Sequence, residues 1–169
     1  KKIIGNSKII YFERSYQFDY RKIKLKSNSA DLIIIPNLMH HINDVDVLLN
    51  QAKKILKKKG KIYIFEPMVK ELHQIPEDYY RITPYGFKHL LTKRKFKNFK
   101  IKFDGGPFTA IIYCWDQALQ YLPKKIMQKK SKWLEKNIGN LRALDKKYKN
   151  NLHRKNTSFP MSYSLLANL

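Results

Sequence analysis

Cysteine, long apolar runs and acidic side chains are all scarce in this chain, and each scarcity removes a class of protein. Cys114 is the sole cysteine. Neither a disulfide framework nor a cysteine-built zinc site can form within the chain, and the residue reads as a small buried hydrophobe. No stretch approaches the ~20 apolar residues that span a bilayer. The opening Lys1-Lys2-Ile3-Ile4-Gly5-Asn6 lacks the apolar stretch and small-residue cleavage site of a signal peptide, so a cytoplasmic location is expected. Asp and Glu number 13 against 35 Lys and Arg, a formal net charge of +22. Such an excess ordinarily points to nucleic acid or an anionic membrane surface. Here it is carried mostly by lysine amid plentiful Ile and Asn, the composition an AT-rich coding sequence produces without selection for a polyanion. Nucleic-acid binding and peripheral membrane contact are therefore secondary expectations.

What remains is a chain of 169 residues, 43% apolar, enough to bury a core as one compact domain. Its first half alternates short apolar runs with amphipathic stretches, the pattern of a parallel sheet with helical crossovers. Ile9 to Glu13 and Tyr16 to Asp19 read as short strands, and Ala30 to Asn37 as a strand buried on both faces. Asn43 reads as the N-cap of a helix with Asp44 and Asp46 in its first turn, and Val45, Leu48, Leu49, Ala52, Ile55 and Leu56 at helical spacing. Lys57 to Lys59 and Gly60 read as its end.

Lys61 to Glu66 is the next strand, stopped by Pro67, and Thr83-Pro84 caps a following helix whose apolar face is Phe87, Leu90 and Leu91. Phe96 to Phe103 alternates as a strand before the break at Asp104-Gly105-Gly106-Pro107. Phe108, Ile111, Ile112, Trp115, Leu119 and Leu122 then line one helical face, and Pro123 separates this helix from a lysine-rich one reaching about Tyr148. Ser158 to Leu169 is expected to close the sheet beside Phe96 to Phe103.

Three ordered segments carry a family resemblance. Asp19 and Asp31 stand at the spacing of two strand-associated acids, followed by the turn Leu38-Met39-His40-His41-Ile42. Val47 to Glu66 supplies a helix, the turn Ile55-Leu56-Lys57-Lys58-Lys59-Gly60 and an apolar strand. Glu71 to Gly86 contains His73-Gln74-Ile75-Pro76-Glu77-Asp78-Tyr79-Tyr80-Arg81-Ile82-Thr83-Pro84-Tyr85-Gly86. Together they resemble class I S-adenosylmethionine (SAM) dependent methyltransferases of the type 11 kind, in particular a subfamily with a His-x-x-Pro-x-Asp-Tyr-x-Arg-x-Thr-Pro-x-Gly signature. The glycine-rich loop that such enzymes place after their first strand is not readable here.

The resemblance implies an N-terminally truncated Rossmann-like sheet over residues 1–105, a helical lid or insertion over 106–155 and a closing strand over 156–169, all within one domain. It implies SAM as cofactor and a small-molecule, glycan or lipid-linked methyl acceptor; a nucleic-acid methyltransferase or an inactive remnant is the alternative. Cofactor contacts are expected from Glu13 to the ribose, Asp19 and the Tyr20 backbone to the adenine, and Pro36 and Asn37 to the methionine portion, all at strand ends where open sheets bind ligands.

A neutral imidazole accepts a proton near pH 7, so His40 or His41 could act as general base. His41, His73 and Arg81 form the expected catalytic set, with Asp78 holding Arg81 in a fork or Arg81 gripping the acceptor. A metal site on His40, His41 and His73 is disfavoured, since no carboxylate completes a recognisable spacing. The loop from Glu71 to Gly86 is expected to fold over the strand ends toward Asn37 and His41.

Overall fold

A computed structural model describes residues 2–4, 7–12, 19–148 and 159–169. Its strands are β1 (Lys2–Ile4), β2 (Ser7–Tyr11), β3 (Ala30–Pro36), β4 (Leu56–Pro67), β5 (Lys97–Asp104) and β6 (Ser162–Asn168). They form one sheet in the order β1-β2-β3-β4-β6-β5. β1 is antiparallel to β2, whereas β2, β3 and β4 run parallel to one another. The helices are α1 (Val45–Ile55), α2 (Pro84–Lys93), α3 (Pro107–Leu119) and α4 (Lys124–Lys147). As the alternating pattern predicts, α1 is the crossover between parallel neighbours β3 and β4. The closing strand β6 lies between β4 and β5.

The chain packs as two compact units. One contains residues 1–68, 72–102 and 163–169, and the other contains 69–71 and 103–162. In the first, Ala30, Ile33 and Ile35 of β3, Ile62 and Ile64 of β4, Leu48, Leu49 and Ala52 of α1, and Phe87 and Leu91 of α2 are fully buried with Tyr163 and Leu165 of β6. Thr83 caps α2, its Oγ1 accepting from Gly86 N at 3.1 Å, and Pro84 takes the first helical position.

Several boundaries differ from the expectations. Asp44, not Asn43, caps α1, accepting from Val47 N at 3.0 Å. β4 begins at Leu56, so Lys57 to Lys59 belong to the strand rather than to a helix end. Pairing passes from Ala30 with Leu56 to Leu32 with Lys61, so residues 57–60 bulge against a single residue of β3. Gly60 serves that bulge: a Cβ there would lie 2.8 Å from Leu56 Cδ2 and 2.9 Å from Lys57 O. On α3 the buried side chains are Ala110, Ile112 and Leu119, whereas Ile111 and Trp115 are exposed. Trp115 lies against Trp133, with ring centroids 5.8 Å apart. Cys114 is exposed, not buried. Of the expected strand Tyr16 to Asp19, residues 16–18 lie outside the described residues, and Asp19 leads into a turn. No described helix is long and apolar enough to cross a membrane.

Candidate active site at the strand ends

The parallel strands β3 and β4 end side by side, Pro36 pairing with Phe65. Asn37 then takes a positive φ of 48° and donates its N–H to Phe65 O at 2.8 Å, which turns the chain off the sheet. The next residues form a short 3₁₀ turn, Met39–His41, whose first N–H groups have no partner within the turn. Glu66, at the end of β4, supplies one. Its Oε1 accepts from Leu38 N at 2.9 Å and Met39 N at 2.8 Å, while its Oε2 stands 2.5 Å from His40 Nδ1. His40 is 4% and Glu66 3% exposed; a carboxylate this deep is tolerated because it is fully hydrogen-bonded.

The polar chain continues into the loop before α2. His40 Nε2 is 3.3 Å from His73 Nε2. Asp78 Oδ2 accepts the His73 N–H at 3.0 Å and lies 3.1 Å from His73 Nδ1. Arg81 closes the series with a two-pronged fork on Asp78, one arm Nη2 to Oδ2 at 2.8 Å. Chiefly through the Arg81 hydrogen bond, and against the opposing effect of burial, the Asp78 carboxyl is held well below the usual carboxylate range. The four ring nitrogens of His40 and His73 make three contacts, satisfied by three N–H groups, one on each Nδ1 and one shared between the two Nε2 atoms. Losing the shared proton leaves two Nε2 lone pairs facing each other.

Further contacts fasten the loop. His41 Nδ1 meets the Glu77 carbonyl, Tyr79 N donates to His40 O at 2.8 Å, and the Tyr80 hydroxyl donates to Asn43 O at 3.0 Å. Beneath it, the buried Tyr163 hydroxyl donates to Ile82 O at 2.6 Å; burial, with the Glu66 charge, pushes the phenol pKa up.

The loop thus lies over the turn that carries His41, and it brings His41, His73 and Arg81 together. Asp19 and Tyr20 make other hydrogen bonds. Asp19 Oδ1 accepts from Arg21 N at 2.9 Å within its own turn, and the buried Tyr20 donates its hydroxyl to Asn43 Oδ1. Asn43 therefore links the Tyr20 turn to the Tyr80 loop. Pro36 and Asn37 hold the end of β3, and Glu13 lies outside the described residues.

Glu66 is not among the site residues expected from the sequence, which favours His41 over His40. A carboxylate ending a buried apolar strand is the available signal for the first. Nothing in the sequence separates the two adjacent histidines. At the opposite ends of β3 and β4, Lys53, Lys57, Lys58, Lys95 and Lys97 line an open cleft. There Lys57 pairs with Asp31 at 2.8 and 3.0 Å and holds its carboxyl below the usual value.

Comparison with known proteins gives these features a context. Residues 5–64 match the family described as Methyltransferase domain. "Probable polyketide synthase 10" of Dictyostelium discoideum is 33% identical over 65 residues, which is 38% of this chain and 3% of that protein. A SAM-dependent methyltransferase from Archaeoglobus fulgidus shares the fold with a TM-score of 0.53 at 17% identity, over 90% of this chain and 66% of its own. One from Thermotoga maritima aligns with a TM-score of 0.51 at 11% identity, over 88% of this chain and 60% of its own. Residues 5–64 thus resemble a methyltransferase domain, the chain as described shares the Rossmann-like fold of these enzymes, and it spans only part of the length of the proteins it matches.

Proposed function

We propose that this chain is a SAM-dependent methyltransferase domain whose acceptor, a small molecule or a glycan or lipid-linked group, loses a proton to the His40–His73 pair. The observation that carries the reading is the buried Glu66–His40 contact at the joined ends of β3 and β4. A carboxylate on Nδ1 fixes the imidazole tautomer and leaves Nε2 to take a proton. His73, whose Nε2 faces the same point, shares that proton, and Asp78 steadies its far side. In this reading His40 takes the role that the sequence assigns to His41. Arg81 acts by positioning Asp78.

SAM supplies an electrophilic methyl group on a sulfonium, and the protein aligns the acceptor and excludes water. In this reading SAM would be held by the Asp19 carboxylate, the Tyr20 backbone, and the backbone of Pro36 and Asn37 at the end of β3, with Glu13 as the expected ribose acid. Asn37, at positive φ, brings the backbone round at the end of β3.

Isothermal titration of SAM and of its demethylated product S-adenosylhomocysteine into the protein tests the reading. Saturable heat with both is expected. No heat and no thermal shift with either ligand would sink it.

A further inference from the structure

The histidines of the strand-end turn and the loop form a second kind of site. We propose that His40, His41 and His73 bind one divalent transition-metal ion of the zinc class through their Nε2 atoms. The inference goes beyond the methyltransferase reading and does not depend on it. Each of the three side chains offers a ligand atom, and the three atoms lie within 4.8 Å of one another. Ring centroids are 4.0 Å apart for His40 and His41, 5.2 Å for His40 and His73, and 4.9 Å for His41 and His73.

The other side of each ring is held by an oxygen. His40 Nδ1 meets the Glu66 carboxylate, His41 Nδ1 the Glu77 carbonyl and His73 Nδ1 the Asp78 carboxylate. Metal-binding histidines are oriented in this way, the remote N–H donated to a carboxylate or carbonyl so that the near nitrogen presents its lone pair. A hydrogen bond between His40 and His73 alone would not explain a third imidazole with a ligand atom within 4.8 Å of theirs and its Nδ1 held by an oxygen.

Distances agree. Zinc–nitrogen bonds of about 2.0–2.1 Å at a tetrahedral angle set ligand nitrogens about 3.3–3.4 Å apart, and His40 Nε2 and His73 Nε2 are 3.3 Å apart. His41, half-buried, offers the third ligand atom within 4.8 Å of the other two. An all-imidazole donor set selects zinc, cobalt, nickel or copper over magnesium and calcium, which demand oxygen. The Glu66 carboxylate behind His40 offsets part of the ion's double charge, the Asp78 carboxylate being already paired with Arg81. Three protein ligands leave a fourth position for water or a substrate oxygen.

Metal and proton compete for the same nitrogen lone pairs. Where both readings hold, the metal-loaded protein is the inhibited form of the methyltransferase.

Cobalt(II), a spectroscopic stand-in for zinc, tests the site. Titrated into the metal-free full chain near pH 7, it is expected to give the visible absorption of low-coordinate cobalt, saturating at one ion per chain and abolished by one equivalent of Zn2+. H41Q and H73Q should each weaken Zn2+ binding about 100-fold or more, and D78N, one shell out, about 10–100-fold. Melting curves identify any variant that fails to fold. Where H73Q does not fold, the half-buried His41 carries the test. Absence of a saturable spectrum, or affinity unchanged in H41Q, overturns the site. A SAM titration on the same preparation separates the two readings: SAM heat without a cobalt spectrum overturns the metal site alone, and the reverse overturns the methyltransferase reading alone.

Discussion

The Glu66 carboxylate joins two jobs, holding His40 Nδ1 at 2.5 Å through one oxygen and the N–H groups of Leu38 and Met39 through the other. Glu66→Gln separates them. The amide oxygen can still accept from the two backbone groups, but its NH2 would face His40 Nδ1 and drive the ring proton onto Nε2. In metal-free protein, imidazole 15N shifts are expected to show Nδ1–H on His40 in the parent and Nε2–H in the variant. Methyl transfer should fall by about 10²–10⁴-fold, the usual worth of a general base, with SAM affinity unchanged. An unaltered tautomer or unaltered turnover would remove Glu66 from the mechanism.

Arg94, just past the end of α2, is 9% exposed and reaches across to α1. Its Nε donates to Asn50 Oδ1 at 2.7 Å, Nη1 to Leu90 O at 2.9 Å and Nη2 to Asp46 Oδ1 at 2.6 Å. Lysine keeps the charge without the planar fork, leaving part-buried acceptors unpaired. Arg94→Lys should therefore cost about 1–3 kcal/mol in urea unfolding, with no change in SAM affinity once folded. A stability loss below about 0.5 kcal/mol, the range of ordinary surface changes, would show that the fork holds nothing.

In the second unit, α3 begins at Gly106 and Pro107 without a side-chain cap from its own N-terminus. Asp145, far along α4, supplies one, accepting from Thr109 N at 2.8 Å, Thr109 Oγ1 at 2.6 Å and Phe108 N at 3.2 Å. Asp145→Ala is expected to cost about 1–2 kcal/mol, as loss of a helix cap does. Amide exchange at Phe108 and Thr109 should rise while exchange at Val47 stays constant. Equal acceleration at all three would mean that the cap is not local.

How far the sequence exposes this architecture depends on the range of the interactions involved. The Ala30–Pro36 strand, the Thr83-Pro84 start of α2 and the Asp78–Arg81 pair are legible because local spacing determines them. Lys57 to Lys59 are not. Three lysines before a glycine suit a helix end as well as a bulged strand, and only pairing with Ala30 and Leu32 decides between them. The Glu66–His40 contact spans 26 residues and the Asp145 cap 36, and neither leaves a periodic trace. His40 and His41 differ only in which one the 3₁₀ turn points inward.

Arg81 sits at the outer end of the polar chain, and its replacement by lysine distinguishes support from substrate contact. In the structure its fork grips Asp78, whose side chain is 1% exposed and whose Oδ2 also receives the His73 N–H. Lysine preserves charge but offers one point of attachment instead of two. Arg81→Lys should lower stability by about 1–3 kcal/mol, the worth of a charged hydrogen bond, and shift the His73 imidazole 15N signals as Asp78 loosens. If Arg81 acts by positioning Asp78 and, through it, His73, turnover should fall modestly, with acceptor KM and SAM affinity unchanged. Normal melting with a raised acceptor KM would instead place Arg81 on the acceptor. If melting, KM and the His73 signals all stay unaltered in this variant, the loop from Glu71 to Gly86 does not build the site.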